Sequence, residues 1–140
     1  MTAAHAPEWA RVVLDDLGLR DWALEWAGRR WVRRNHTHGM AYLDERRIVV
    51  AAHCDPHEQL YTLIHEAAHA LMDDGAPRYR DDHSLAFYRV LVMLAGFYAF
   101  GVDDVGQREE VAAPCICDIF VPCTCDDQQR DRAYFRTMVG

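Results

Sequence analysis

The sequence is short of positive charge. It contains 15 lysine and arginine residues against 22 acidic ones, which gives a formal net charge of -7 and a sequence pI of about 5.5. Because phosphate binding needs a positive face, this balance argues against a protein whose whole surface binds nucleic acid. A local basic patch remains compatible with it.

The chain also lacks internal repeats and low-complexity stretches, so we predict one domain over residues 1–140. The segment from Met1 to Trp9 has neither the charged region nor the apolar region of a secretory signal, which predicts a cytoplasmic protein. In that compartment the five cysteines are expected to be thiols or metal ligands rather than disulfides. The apolar run from Leu85 to Val102 is interrupted by Arg89 and Gly96, which favours a buried helix and no membrane span.

Half of the residues are apolar (51%), so the chain can bury a core. Local patterns predict an N-terminal helix over Pro7 to Leu17 and a strand over Trp22 to Trp26, where apolar residues alternate. Two further strands, Met40 to Tyr42 and Ile48 to Ala51, are joined by a turn at Asp44 to Arg46. Together they predict a small, mostly antiparallel sheet, with Ile48 to Ala51 as its edge strand and the site of substrate addition.

The pattern then changes to helices. Asp55 suits the helix N-cap, and an apolar face follows from Pro56 to Met72. A second helix is predicted from about His83 to Phe100. The predicted fold class is therefore α+β and zincin-like: an N-terminal helix, a small sheet and a helical hairpin that carries a metal.

The first of these helices contains the motif His65-Glu66-Ala67-Ala68-His69. Residues four apart on a helix share one face, so both imidazoles can reach one zinc ion. Glu66 lies next to the first ligand without occupying the metal. It is placed to act as general base for a water that the metal activates.

A catalytic zinc usually has three protein ligands and one open position. His83 follows a short loop and begins the next apolar helix, so we favour it as the third ligand. Glu109 and Glu110 are competitors, because a glutamate from a later element is the other common solution.

These residues resemble the SprT-like metalloproteases, a minimal zincin group. The resemblance lies in Thr62 to Ala70, the preceding strand Arg47 to Ala51, and the segment Asp82 to Phe87. It implies that His83 is the third zinc ligand and that the protein is a zinc-dependent endopeptidase acting on proteins or peptides. One departure is Ser84, where the family usually has glycine. The ImmA/IrrE-like peptidases are a similar rival group, which usually takes an acidic third ligand.

The cysteines cluster in a C-terminal segment at about residues 107–140. Cys115, Cys117, Cys123 and Cys125 form a C-x-C-x5-C-x-C pattern, and some SprT-like proteins carry a C-terminal zinc ribbon. Four thiolates on a hairpin predict a second, structural zinc. Free thiols on a hairpin, or disulfides formed on oxidation, are the alternatives, since zinc ribbons usually have C-x-x-C spacing. Cys54 stands apart and is expected to be a small buried residue.

A basic cluster of arginines surrounds Trp31: Arg29, Arg30, Arg33 and Arg34. Such a cluster can contact single-stranded nucleic acid, but a solvated strand face is the more ordinary interpretation, and the net charge gives nucleic-acid binding no support. His36, His38, His53 and His57 are interpreted as surface histidines. The competing function is a non-catalytic, metal-stabilised binding module that contacts nucleic acid or protein partners.

Overall fold

The computed structural model describes residues 5–73 and 83–110 of the chain. These residues form an α+β arrangement of five helices and three strands: α1 (Glu8–Asp16), β1 (Ala23–Ala27), α2 (Arg29–Asn35), β2 (Gly39–Tyr42), β3 (Arg47–Ala51), α3 (Pro56–Met72), α4 (Leu85–Phe97) and α5 (Val102–Glu109). They belong to two compact units, Met1–Arg80 and Asp81–Gly140. Within the described ranges, each helix is too short or too polar to cross a membrane. The prediction of a single domain stays a prediction.

The sheet of the first unit is mixed, with the strand order β1-β3-β2. β1 runs parallel to β3, and β2 runs antiparallel to it. Two expectations are therefore wrong: the sheet is not mostly antiparallel, and the strand at Ile48 to Ala51 is central rather than an edge. The apolar run of β3 explains its position, because Ile48, Val49 and Val50 are all fully buried, as expected for a strand covered on both faces.

The N-terminal helix and the β2–β3 hairpin confirm the local predictions. Pro7 is the N-cap of α1, and Trp9 on that helix packs edge-to-face on Trp26 of β1 with ring centroids 5.9 Å apart. Arg11 donates to the carbonyl oxygens of Leu19 and Trp22, which holds the α1–β1 connection. This first unit therefore has an aromatic and aliphatic core between its helices and its sheet.

Helix α3 begins and ends within a residue of its predicted limits. The Asp55 carboxylate accepts a hydrogen bond from the Glu58 backbone N–H (2.9 Å), and Pro56 occupies the first helical turn. A cap of this kind stabilises a helix by about 1 kcal/mol. Leu63, Ile64 and the two alanines of the motif are fully buried, so α3 is anchored along its apolar face.

The arginine cluster lies on a helix, not on the strand face that was expected. It occupies α2, a seven-residue helix with no buried residue, which ends at His36 in the left-handed conformation (φ 55°). All four arginines are exposed, while Trp31 is half-buried.

In the second unit the helix predicted from about His83 to Phe100 corresponds to α4, and a further helix that was not predicted, α5, follows it. α4 ends at Phe97, and α5 starts after Gly101 and packs against α4. Ser84, one residue after His83, is the N-cap of α4: its hydroxyl accepts from the Phe87 backbone N–H at 3.1 Å. The cysteine-rich segment, with Cys115, Cys117, Cys123 and Cys125, lies outside the described residues. Its predicted zinc site and the predicted helical hairpin stay predictions.

Candidate metal centre

The two histidines of the motif lie one turn apart on the same face of α3. Their ring centroids are separated by 5.1 Å, with an interplanar angle of 61°. Both imidazoles are half-buried, so they are held by their surroundings and still open to solvent on one side. Because Ala67 and Ala68 are fully buried between them, the helix backbone that carries the pair is fixed against the core.

Glu66 is one of only two polar residues that the described part of the chain buries, with 9% of its surface exposed. It lies where strand β2 passes close to α3. A Cβ atom added to Gly39 would stand 3.2 Å from the Glu66 Oε2 atom and 2.4 Å from the Thr62 Cγ2 atom. Only a residue without a side chain lets the backbone of β2 approach the carboxylate this closely.

His83 lies in the second unit, directly before α4. Its ring stacks on Phe87, with centroids 4.9 Å apart and an interplanar angle of 24°, and lies near Tyr88 at 6.1 Å. The aromatic contacts and the Ser84 cap give this histidine a defined position on its own unit. Glu109 ends α5 and Glu110 follows it in the left-handed conformation (φ 57°). The role of His83 as third ligand stays a prediction.

One grouping escaped the sequence interpretation. His38, His53 and Cys54 each offer a donor atom, and these three atoms lie within 4.8 Å of one another. The rings of His38 and His53 meet edge-to-face at 5.4 Å. His38 is distant in sequence from His53 and Cys54, and the β2–β3 pairing brings it to them. The predicted turn at Asp44 to Arg46 was the signal that could have revealed this, because a hairpin turn sets the register of its two strands.

Cys54 differs from the small buried residue that was expected, because it is only partly buried. Burial raises the pKa of its thiol, and the carboxylates of Glu58 and Asp55 raise that pKa further. The thiol is therefore protonated at neutral pH, and in the absence of a metal it is a poor nucleophile.

No family model, no curated protein and no solved structure matches this chain. The resemblance to SprT-like proteins therefore rests only on the sequence segments Arg47 to Ala51, Thr62 to Ala70 and Asp82 to Phe87, and it stays a hypothesis.

Proposed function

We propose that this protein is a zinc-dependent endopeptidase in which His65 and His69 bind the ion and Glu66 is the general base. The observation that carries the proposal is the geometry of α3, where two imidazoles one turn apart flank a buried carboxylate. The motif lies on a helix that is capped at Asp55 and buried along its apolar face. Its imidazoles are half-buried, and its carboxylate lies beside Gly39 of β2. A motif that occurred by chance would not be expected to combine these features.

The donor set fits zinc. Imidazole nitrogens are common ligands of this ion in catalytic sites, and a pair at i and i+4 needs one further protein ligand to leave a position open. We assign that third place to His83, which precedes a capped and apolar helix. Glu109 in α5 is the alternative third ligand.

Zinc bound by these residues would supply a Lewis acid that polarises the scissile carbonyl and lowers the pKa of water. The chain's own contribution to proton transfer comes from Glu66. Its carboxylate accepts the proton of the attacking water and delivers it to the departing amine. The Glu66 side chain is buried on the face of α3 that meets β2. Its carboxylate is therefore held in place and does not have to be ordered during the reaction.

Strand β2 is the better candidate for binding an extended substrate. Within the described residues β2 pairs with β3 alone, so its other edge is available for strand addition. Gly39 begins this strand and lies against Glu66. A peptide that extends the sheet along β2 therefore passes the general base, and main-chain hydrogen bonds supply its affinity. This mode suits a protein or peptide substrate in an extended conformation.

The test is Glu66→Gln, with Glu58→Gln in the first turn of the same helix as matched control. Hydrolysis of a fluorogenic peptide library should fall by about a hundredfold or more in Glu66→Gln, which is the low end of general-base contributions. Zinc content, measured by elemental analysis, should stay unchanged in both variants, and Glu58→Gln should retain activity. Loss of zinc with residual turnover in Glu66→Gln would contradict the assigned role.

A non-catalytic binding module is the second candidate, and helix α2 is the observation that favours it. Four exposed arginines on one short helix form a basic surface in an acidic protein. If zinc-loaded wild-type protein cleaves no member of the library but binds single-stranded DNA, and Arg30→Glu with Arg33→Glu abolishes that binding, this candidate replaces the peptidase.

A further inference from the structure

His38, His53 and Cys54 form a compact cluster at the amino end of α3, on the first unit. Their three donor atoms lie within 4.8 Å of one another, and the Cys54 Sγ atom is 3.9 Å from the His53 Nε2 atom. The motif histidines His65 and His69 are not members of this grouping.

The backbone on both sides of this cluster is held by hydrogen bonds. The His38 carbonyl accepts from the Ala51 N–H at 2.8 Å, which continues the β2–β3 pairing to the cluster. The Ala52 N–H donates to the Ala27 carbonyl of β1, also at 2.8 Å. These bonds fix the strand ends from which His38 and His53 project.

The loop that carries His53 and Cys54 has a second restraint. Gln59, only 8% exposed, donates from its side-chain amide to the carbonyl oxygens of Ala52 (3.0 Å) and Cys54 (2.9 Å). A buried amide that spans the loop in this way fixes its conformation, so the donor atoms approach one another on a rigid frame. Such preorganisation is what a metal site requires of its supporting residues.

We propose that His38, His53 and Cys54 bind a transition-metal ion of the zinc class. Two imidazoles and one thiolate are borderline and soft donors, which select zinc and its neighbours over magnesium or calcium. In a tetrahedral zinc site, with bonds of about 2.0–2.3 Å, neighbouring donors are separated by about 3.3–3.6 Å. The sulfur–nitrogen separation of 3.9 Å is already close to that value. Small side-chain rotations bring the imidazole nitrogen of His38 to the same separation from the other two donors, and a water molecule takes the fourth coordination position.

The acidic residues around the cluster favour the binding of a metal cation. Glu58 and Asp55 act electrostatically on the Cys54 sulfur, so they impose a negative potential where the ion would bind. His38 and His53 are exposed, so an ion reaches the donors without any rearrangement of the core. The bound ion would fasten the start of β2 to the loop that leads into α3. This second site does not depend on the peptidase proposal.

The experiment uses cobalt(II), whose complexes with thiolate give a ligand-to-metal charge-transfer band. In the full chain with Cys115, Cys117, Cys123 and Cys125 all changed to Ser, Cys54 is the only remaining thiol. A charge-transfer band on Co²⁺ addition is then expected, and excess Zn²⁺ should abolish it. His38→Ala or His53→Ala should remove the band. His65→Ala should keep it, and so should His36→Asn, a control at a nearby exposed histidine whose left-handed backbone asparagine tolerates.

The outcomes separate the possibilities. Absence of the band, or a band that survives both His38→Ala and His53→Ala, overturns the three-residue site. A band that disappears with His65→Ala also overturns it.

If the four-serine chain does not fold, alkylation of Cys54 in the unmodified protein, followed by peptide mass spectrometry, gives the same information. Zn²⁺ should slow that alkylation by about tenfold or more, because a metal-bound thiolate is no longer a free nucleophile. This protection should be lost in His53→Ala. Equal alkylation rates with and without Zn²⁺ would refute the site.

Discussion

Gly39→Ala tests the close approach of β2 to α3. The new Cβ atom would meet the Thr62 Cγ2 atom at 2.4 Å, with Glu66 Oε2 and the Val49 carbonyl oxygen both at 3.2 Å. Overpacking of this kind costs about 1–3 kcal/mol. Gly39 does not have a positive φ, so alanine fits its backbone conformation without strain. Alanine also lowers the conformational entropy of the unfolded chain, which offsets about 0.4–1 kcal/mol of this cost. We therefore expect a net loss of up to about 2.6 kcal/mol, centred on about 1.3 kcal/mol, in the free energy of unfolding.

Urea unfolding followed by tryptophan fluorescence measures this loss, because all four tryptophans lie in the first unit. Thr62→Ser removes the methyl group that makes the shortest contact. In that background Gly39→Ala should cost less, with a coupling energy of at least about 0.5 kcal/mol. Gly96→Ala in α4, where a Cβ meets nothing within 4 Å, is a control outside the first unit and should not lower the free energy of unfolding that the tryptophans report. A neutral Gly39→Ala without coupling to Thr62→Ser would refute the close approach.

Three further outcomes are expected. Asp55→Ala should lower the free energy of unfolding by about 0.5–2 kcal/mol in the same urea assay, because it removes the cap of α3; an unchanged midpoint would show that the Glu58 N–H finds another acceptor. His83→Ala should release zinc to a chromophoric chelator more readily than Glu109→Ala, and the reverse ranking would make the acidic residue the ligand. In metal-free protein, Glu58→Gln should lower the pKa of the Cys54 thiol, so alkylation of Cys54 becomes faster at a given pH above neutrality; an unchanged rate–pH profile would contradict the electrostatic cause.

The elements that depend on local signals were predictable from the sequence. Asp55 and Pro56 mark the start of α3, and the turn after Tyr42 separates β2 from β3. The motif histidines needed only the helical period for their placement on one face. These features depend on residues within a few positions of one another, so one sequence is enough to find them.

The errors concern the longer-range arrangement and one short helix. The parallel pairing of β1 with β3 joins residues separated by a helix and a strand, and no local pattern reports it. The continuous apolar run of β3 is typical of a strand buried on both faces, which is incompatible with the edge position predicted for it. Helix α2 was missed because Trp31 and Val32 are flanked by arginines on both sides and show no helical period.

The candidate metal ligands also differ in whether local sequence signals or long-range strand pairing brings them together. His65 and His69 were identifiable because one helix carries both, whereas His38 reaches Cys54 only through the hairpin register. Spacing rules for ligands describe helices and short turns, so they overlook sets assembled across a sheet.

The order in which the strands pair also determines how the first unit is expected to fold. β2 and β3 adjoin in sequence and close a short loop, while β1 reaches β3 only across α2 and β2. Since loop-closure entropy grows with length and non-local pairings form slowly, the hairpin and α3 are expected to form first. The segment from His38 to His69 then carries the ligands His38, His53 and Cys54, together with the motif histidines His65 and His69, before β1 docks. Metal ions present during synthesis would therefore meet these ligands on a partly folded chain.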